Sequence, residues 1–173
     1  MEELILDEEF EEDLQEDIRQ GKYMTFKVGR EVFGVELKYV NEIIQMQPVA
    51  AVPNVENYIK GLINLRGKII PVIDVAVRFR KEIFEYTDRT CIIVIDVNGV
   101  EVGLIVENIG EVVSIDEENI LPPPNIPHCD HQERFVRGIG KIGEEVKLLL
   151  DPVKLLSDDA LDFMNNQENE EEE

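Results

Sequence analysis

The chain repeats itself, and the repeat restricts the fold more than any other feature of its 173 residues. Gly34, Val35, Leu37, Val40, Glu42, Ile43 and Ile44 match Gly103, Leu104, Val106, Ile109, Glu111, Val112 and Val113 at a constant shift of 69. Tyr58, Ile59, Lys60 and Gly61 match Phe135, Val136, Arg137 and Gly138 at a shift of 77, as do Val72, Ile73 and Asp74 with Leu149, Leu150 and Asp151. The second copy therefore carries a longer loop between its blocks. Identities are few; the apolar pattern and the shared Gly, Glu and Asp carry the match. A duplicated half of this size predicts two similar small barrels related by a pseudo-two-fold. The copies diverge at one turn, Asn64-Leu65-Arg66-Gly67 in the first and Lys141-Ile142-Gly143-Glu144 in the second. On a symmetric frame, such a divergence points to function.

The length suits one domain, or two small ones sharing a core. An apolar fraction of 43% is enough to fold. No apolar run approaches the roughly 18 residues of a membrane helix. The acidic N-terminus is unlike a signal or transit peptide, and two cysteines make no disulfide framework, which together point to the cytosol. The net charge of −21 sits mostly in the tails: residues 1–20 hold ten acids and one base, and residues 157–173 hold eight acids and no base. The body is left at −4. Acidic runs such as residues 170–173 repel and stay solvated. Nucleic-acid binding is excluded, because its affinity comes from Lys and Arg at phosphates.

Leu6, Phe10, Leu14 and Ile18 recur every fourth residue among acids, which suits one amphipathic helix over residues 1–20. Packing on the body, a partner contact and simple disorder are all open for it. The body reads as all-β, with strands at 23–28, 32–37, 43–46, 59–65 and 68–73 in the first copy. The second has them at 91–97, 100–106, 111–115, 135–142 and 146–150. Five strands per copy with regular turns predict barrels or a sandwich. Asn98-Gly99 is a strong hairpin signal, because both residues tolerate positive φ. Asp74 and Asp151 each follow a strand and precede a short helical run, with Pro152 at the first helical position, so both read as helix N-caps.

Several chemistries can be weighed on the residues alone. Gly138-Ile139-Gly140-Lys141-Ile142-Gly143 spells G-x-G-x-x-G, but a strand-like run follows where a dinucleotide site needs a helix. Turns and close strand approach explain these glycines better. His128, Cys129, Asp130 and His131 are clustered, yet four convergent ligands at zinc spacing are lacking, so no metal is expected. Asp74 and Asp151 at equivalent positions evoke a carboxylate dyad, but Val75 and Pro152 follow them where that motif has Thr or Ser and Gly. Ser114 and Ser157 sit in no nucleophile elbow, and there is no phosphate-binding loop. No catalytic constellation assembles. Arg66 before Gly67 would stand near a hairpin tip with five donors in a fixed fork. On residues alone, the chain is a β protein that binds something acidic.

The stretch from Gly61 through Asn64-Leu65-Arg66-Gly67, Ile69, Pro71 and Val72 to Asp74 resembles the CheW family of chemotaxis coupling proteins. That family's pattern G-x-x-N-L-R-G-x-I-x-P-[VI]-x-[DN] is complete here. Residues 33–43, 102–107, 138–141 and 148–156 are similar to it as well, so the resemblance covers about 22–156. It implies two five-stranded SH3-like barrels with short helices, expected at about 22–89 and 90–156 within a domain of 21–157. An acidic tail, 158–173, follows. Nothing in the chain resembles a receiver or phosphotransfer domain.

The resemblance further implies a non-catalytic adaptor without cofactors, monomeric when alone and recruited to chemoreceptor arrays. Its partners are the regulatory domain of the histidine kinase CheA and the cytoplasmic tip of chemoreceptors. A CheW-like adaptor of another chemosensory pathway, such as surface motility, is the alternative. The receptor-facing groove falls on Leu37, Val40, Ile43, Ile109 and Val112, with Arg66 nearby. The kinase-facing end of the first barrel spans 44–51, with Ile44, Met46 and Val49. The equivalent end of the second spans 121–127, with Leu121 and Ile126. Family members that carry an Arg and a Phe at that second end differ from this chain.

Overall fold

The computed structural model describes residues 20–79, 84–122 and 135–156. The acidic segments at 1–19 and 157–173, the His128–His131 cluster and Ile126 lie outside them. The described residues form eleven strands: β1 (Lys22–Val28), β2 (Glu31–Glu36), β3 (Val40–Gln45), β4 (Ile59–Leu65), β5 (Lys68–Asp74), β6 (Cys91–Val97), β7 (Val100–Val106), β8 (Asn108–Ser114), β9 (Ile120–Leu121), β10 (Val136–Ile142) and β11 (Glu145–Leu150). Two four-residue helices, α1 (Val75–Arg78) and α2 (Pro152–Leu155), close the copies. Ten strands match the expected ones within a few residues, and the two-residue β9 is additional. Asn98 and Gly99 take φ of 54° and 85° at the β6–β7 turn, the left-handed pair a tight hairpin requires.

The strands form a sheet ordered β8-β1-β2-β11-β10-β9 and another ordered β3-β6-β7-β5-β4. We call them the β1 barrel and the β6 barrel. They do not follow the consecutive halves expected at 22–89 and 90–156. Each copy gives its first hairpin to one barrel and its later strands to the other. After β2, a 3-10 turn at Leu37–Tyr39 carries the chain across, so that β3 pairs with β6. After β7, β8 crosses back and pairs with β1. The pairs β2–β11 and β5–β7 are parallel, and no tight turn can join strands in that sense. Sequence similarity between the halves identified the repeat, but exchange between them is a matter of pairing.

The registers confirm the repeat to the residue. Tyr23 faces Glu36 as Ile92 faces Ile105. Ile43 faces Ile93 as Val112 faces Met24. Val72 faces Gly103 as Leu149 faces Gly34.

The main core lies between the two sheets. Phe26, Phe33, Phe79 and Phe135 form a chain of rings there, with successive centroids 5.9, 5.0 and 5.6 Å apart. The Arg78 guanidinium lies 4.2 Å from the Tyr58 ring centre and 4.5 Å from that of Phe135, and its Nε donates to the Leu155 carbonyl at 3.3 Å. Tyr58 and Phe135 are repeat partners, and so are Arg78 and Leu155, so this cluster straddles the pseudo-two-fold. Both N-caps are in place. Asp74 Oδ1 accepts from the Ala76 and Val77 amides, and Asp151 Oδ1 from those of Val153 and Lys154.

Candidate docking site

The turn where the copies diverge is built in three steps. Arg66 and Gly67 take φ of 53° and 85°, so a bulky residue sits in the left-handed region. That placement costs about 1–2 kcal/mol. Asn64 Oδ1 accepts from the Gly67 amide at 3.0 Å and closes the turn. Arg66 then reaches across the open side of the β6 barrel, and its Nη1 donates to Glu42 Oε2 on β3 at 2.8 Å. Beside them Lys68 pairs with Glu101 at 3.2 Å, and Asn41, Leu65 and Val94 complete a shallow polar pocket. The Arg66 side chain is 78% exposed, so the pair adds little stability but presents a guanidinium with donors to spare. Glu42 Oε1 is buried without a hydrogen-bond partner. The β1 barrel has no such feature: Gly143 occupies the Arg66 position. The counterpart of Glu42, Glu111, is held by its backbone, which exchanges two hydrogen bonds with the Thr25 hydroxyl.

The six expected receptor-facing residues separate by depth. Ile43 is 38% exposed and Val112 46%, at equivalent places on the edge strands β3 and β8. Leu37 and Ile109 are half-buried against the main core. Val40 is only 6% exposed and belongs to that core, which corrects its expected place on the surface. The register of β3 shifts between Val40 and Glu42, so Val40 faces Ile95 and Ile43 faces Ile93 on one side of the sheet. The main core covers Val40 there and leaves Ile43 exposed.

Of the residues expected at the kinase-facing ends, Ile44, Met46 and Val49 are half-buried on the β6 barrel's own core, and Leu121 is 51% exposed. Among the described residues the two ends correspond at one point each. Ala50 bridges Leu62 along the edge of β4, and Leu121 pairs with Ile139 along the edge of β10. A Cβ on Gly61 would run into the Ala50 carbonyl. A Cβ on Gly138 would come within 2.7 Å of Ile120 and 2.9 Å of the Leu121 carbonyl oxygen. Close approach of a covering strand therefore explains Gly138, and the G-x-G-x-x-G run lies on β10 and its turn. The two cap aspartates serve separate helices, and Asp74 Oδ2 also accepts from the Tyr86 hydroxyl at 2.7 Å. Burial first, then this hydrogen bond, pushes the Tyr86 phenol above its ordinary range. Among the described residues no group of three or more His, Cys, Asp or Glu is placed to hold a metal ion.

One polar cluster was not anticipated. Arg137 Nη1 donates to the Tyr23 hydroxyl at 2.6 Å and to Glu36 Oε1 at 2.9 Å, and Glu36 Oε2 lies 3.4 Å from Lys38. Glu117 lies 3.8 Å from Nη2. Burial pushes the Tyr23 phenol above its ordinary value, against the pull of the adjacent guanidinium. The repeat held the signal. The counterparts of Tyr23 and Glu36 are Ile92 and Ile105, so an apolar pair in one copy is a polar pair in the other.

Paired SH3-like barrels, with exposed apolar edges and one arginine-tipped turn, define a protein-binding module. Residues 22–160 match the family model of the CheW-like domain. The chain is 32% identical to the chemotaxis protein CheW of Klebsiella aerogenes over 84% of its length and 87% of that protein's. It is 34% identical to a probable chemotaxis protein CheW of Rhizobium etli, over 82% and 92%. The crystal structure of the scaffolding protein TtCheW from Thermoanaerobacter tengcongensis superposes with a TM-score of 0.74 at 33% identity, over 81% of this chain and 94% of that one. The chain belongs to the CheW family and is a chemotaxis scaffold of adaptor type. Among the described residues no helix is long and apolar enough to cross a membrane.

Proposed function

We propose that this chain is a non-catalytic adaptor that couples the cytoplasmic tips of chemoreceptors to the histidine kinase CheA at arrays on the inner membrane face. The observation that carries the receptor contact is the one-sided turn. Ile43 offers an exposed aliphatic side chain next to Glu42, which the Arg66 guanidinium bonds. An amphipathic helical tip needs both features: an apolar strip to bury and a cation for its flanking carboxylates. Val112 offers an exposed aliphatic side chain on the equivalent edge strand of the other barrel, and Leu37 and Ile109 are half-buried on the main core. Val40 acts only through the core. For the kinase, the equivalent ends at 44–51 and 121–127 give one molecule two similar docking faces. Repeated use of unlike faces closes rings when the rotation allows. A weak second contact then matters mainly when many are linked.

The test is capture of purified variants on receptor fragments and on the isolated CheA regulatory domain. Arg66→Glu and Ile43→Asp are both at exposed sites and should fold normally, lose receptor capture and keep kinase binding. Leu121→Asp should keep the one-to-one kinase complex and lower only the cooperativity of assembled arrays. Unchanged receptor capture by both of the first two variants would overturn the assigned face.

A further inference from the structure

The two barrels have the same fold but different inner cores. The β6 barrel is filled by Ile63, Ile70, Val72, Ile92, Val94 and Ile105, with Ile44, Met46, Val49, Leu65 and Phe84 packed against them. Among the described residues, its counterpart in the β1 barrel contains Tyr23, Ile115 and Leu149, with Val113, Ile120 and Ile142 packed against them. The registers show where the apolar groups went. The cross-strand pair Ile63–Ile70 becomes Gly140–Lys147, and Ile92–Ile105 becomes Tyr23–Glu36. Val94 becomes Thr25, which is buried. Lys147 is 8% exposed, and its ammonium pairs with Glu145 at 3.2 Å. The polar groups are satisfied: Tyr23 and Glu36 by Arg137, Thr25 by the Glu111 backbone.

Satisfied polar contacts hold geometry but add less net stability than the apolar burial they replace, because unfolding returns each group to water. The two barrels end alike, each with an edge strand, β3 or β8, and a short contact on the other side, Ala50 with Leu62 or β9 with β10, so the difference lies in their interiors. Local opening follows low apolar contact and exposed ladder hydrogen bonds. We infer that the β10–β11 hairpin, which holds Gly140 and Lys147 where the other barrel holds Ile63 and Ile70, opens at lower free energy than its counterpart β4–β5. The compliant hairpin carries the strand that Leu121 pairs with, and its rigid counterpart carries Arg66 at its turn. This inference concerns the free chain and does not depend on which partner binds.

Native-state hydrogen exchange on the full chain tests it, with amides compared strand by strand between repeat partners. Amides of β10 and β11 should exchange at least tenfold faster than those of β4 and β5, and low denaturant should accelerate them first. Lys147→Ile, which installs the residue of the other copy, should slow β10 and β11 several-fold and leave β4 and β5 unchanged. Equal exchange in the two hairpins, or faster exchange in β4 and β5, would overturn the inference. So would a folded Lys147→Ile protein with the wild-type pattern. If that variant does not fold, the wild-type comparison alone decides.

Discussion

The β6 barrel and the β1 barrel answer the same packing problem in opposite ways. In the first, facing isoleucines fill the interior and the polar groups sit outside, at Arg66, Glu42, Lys68 and Glu101. In the second, Tyr23, Thr25, Glu36 and Lys147 occupy the matching interior places, and Arg137 reaches in to satisfy two of them. Gly140 leaves room that Ile115 fills, its Cδ1 lying 2.7 Å from where a Cβ would stand. A strand register can thus be kept while the chemistry of its paired residues changes. The backbone pairing is common to both halves, while the stabilising force differs: area removed from water in one, hydrogen bonds in the other.

The comparison can be broken most severely by moving a residue across it. Ile70→Lys puts the β1 barrel's lysine into the apolar core of the β6 barrel, where Ile63, Val72 and Ile105 offer no acceptor. An unpaired buried ammonium costs about 3–5 kcal/mol. Denaturant unfolding should show that loss, and a drop below roughly 1 kcal/mol would mean that the two interiors are interchangeable.

A smaller effect separates the cationic repeat partners Arg137 and Lys60. Arg137→Gln leaves the Tyr23 hydroxyl and Glu36 without their shared donor and should cost about 1–2 kcal/mol. Lys60→Gln on β4 should stay within about 0.5 kcal/mol. Equal losses in urea melts would show that the Arg137 cluster is incidental to the β1 barrel.

The smallest effect is a pH dependence. The Tyr86 phenol, which braces the N-cap Asp74, is raised by burial and by its hydrogen bond to that carboxylate. A raised folded value means that this contribution is complete below the unfolded tyrosine range, about pH 10, and is lost as pH climbs above it. Tyr86 is 42% exposed, so Tyr86→Phe should cost under about 1 kcal/mol at neutral pH. It should also flatten the alkaline limb of a stability-versus-pH curve. An alkaline limb unchanged by the substitution would move the dependence to Tyr23, whose phenol is raised as well.

Much was legible in the sequence, for local reasons. Alternating apolar residues set ten strands, Asn98-Gly99 and Arg66-Gly67 set two turns, and Asp74 and Asp151 set two caps. Each of these depends on neighbours within a few residues. The repeat itself also pointed to the one turn where the copies part, and that turn holds the exposed Arg66–Glu42 pair. What lay outside sequence reach was everything that needs a partner far along the chain. Val40 was expected in a receptor-facing groove, and the main core covers it. The two barrels looked consecutive until β3 paired with β6 and β8 with β1. Arg137 stood out only as the repeat partner of Lys60, and its hydrogen bonds reach Tyr23 and Glu36, more than a hundred residues earlier. The sequence by itself determined the duplicated β architecture and the family, because periodicity and turn chemistry act over short spans. Only the tertiary structure decided which copy's strands fill which barrel and which barrel is polar inside, because burial and pairing belong to residues that meet only once the chain has folded.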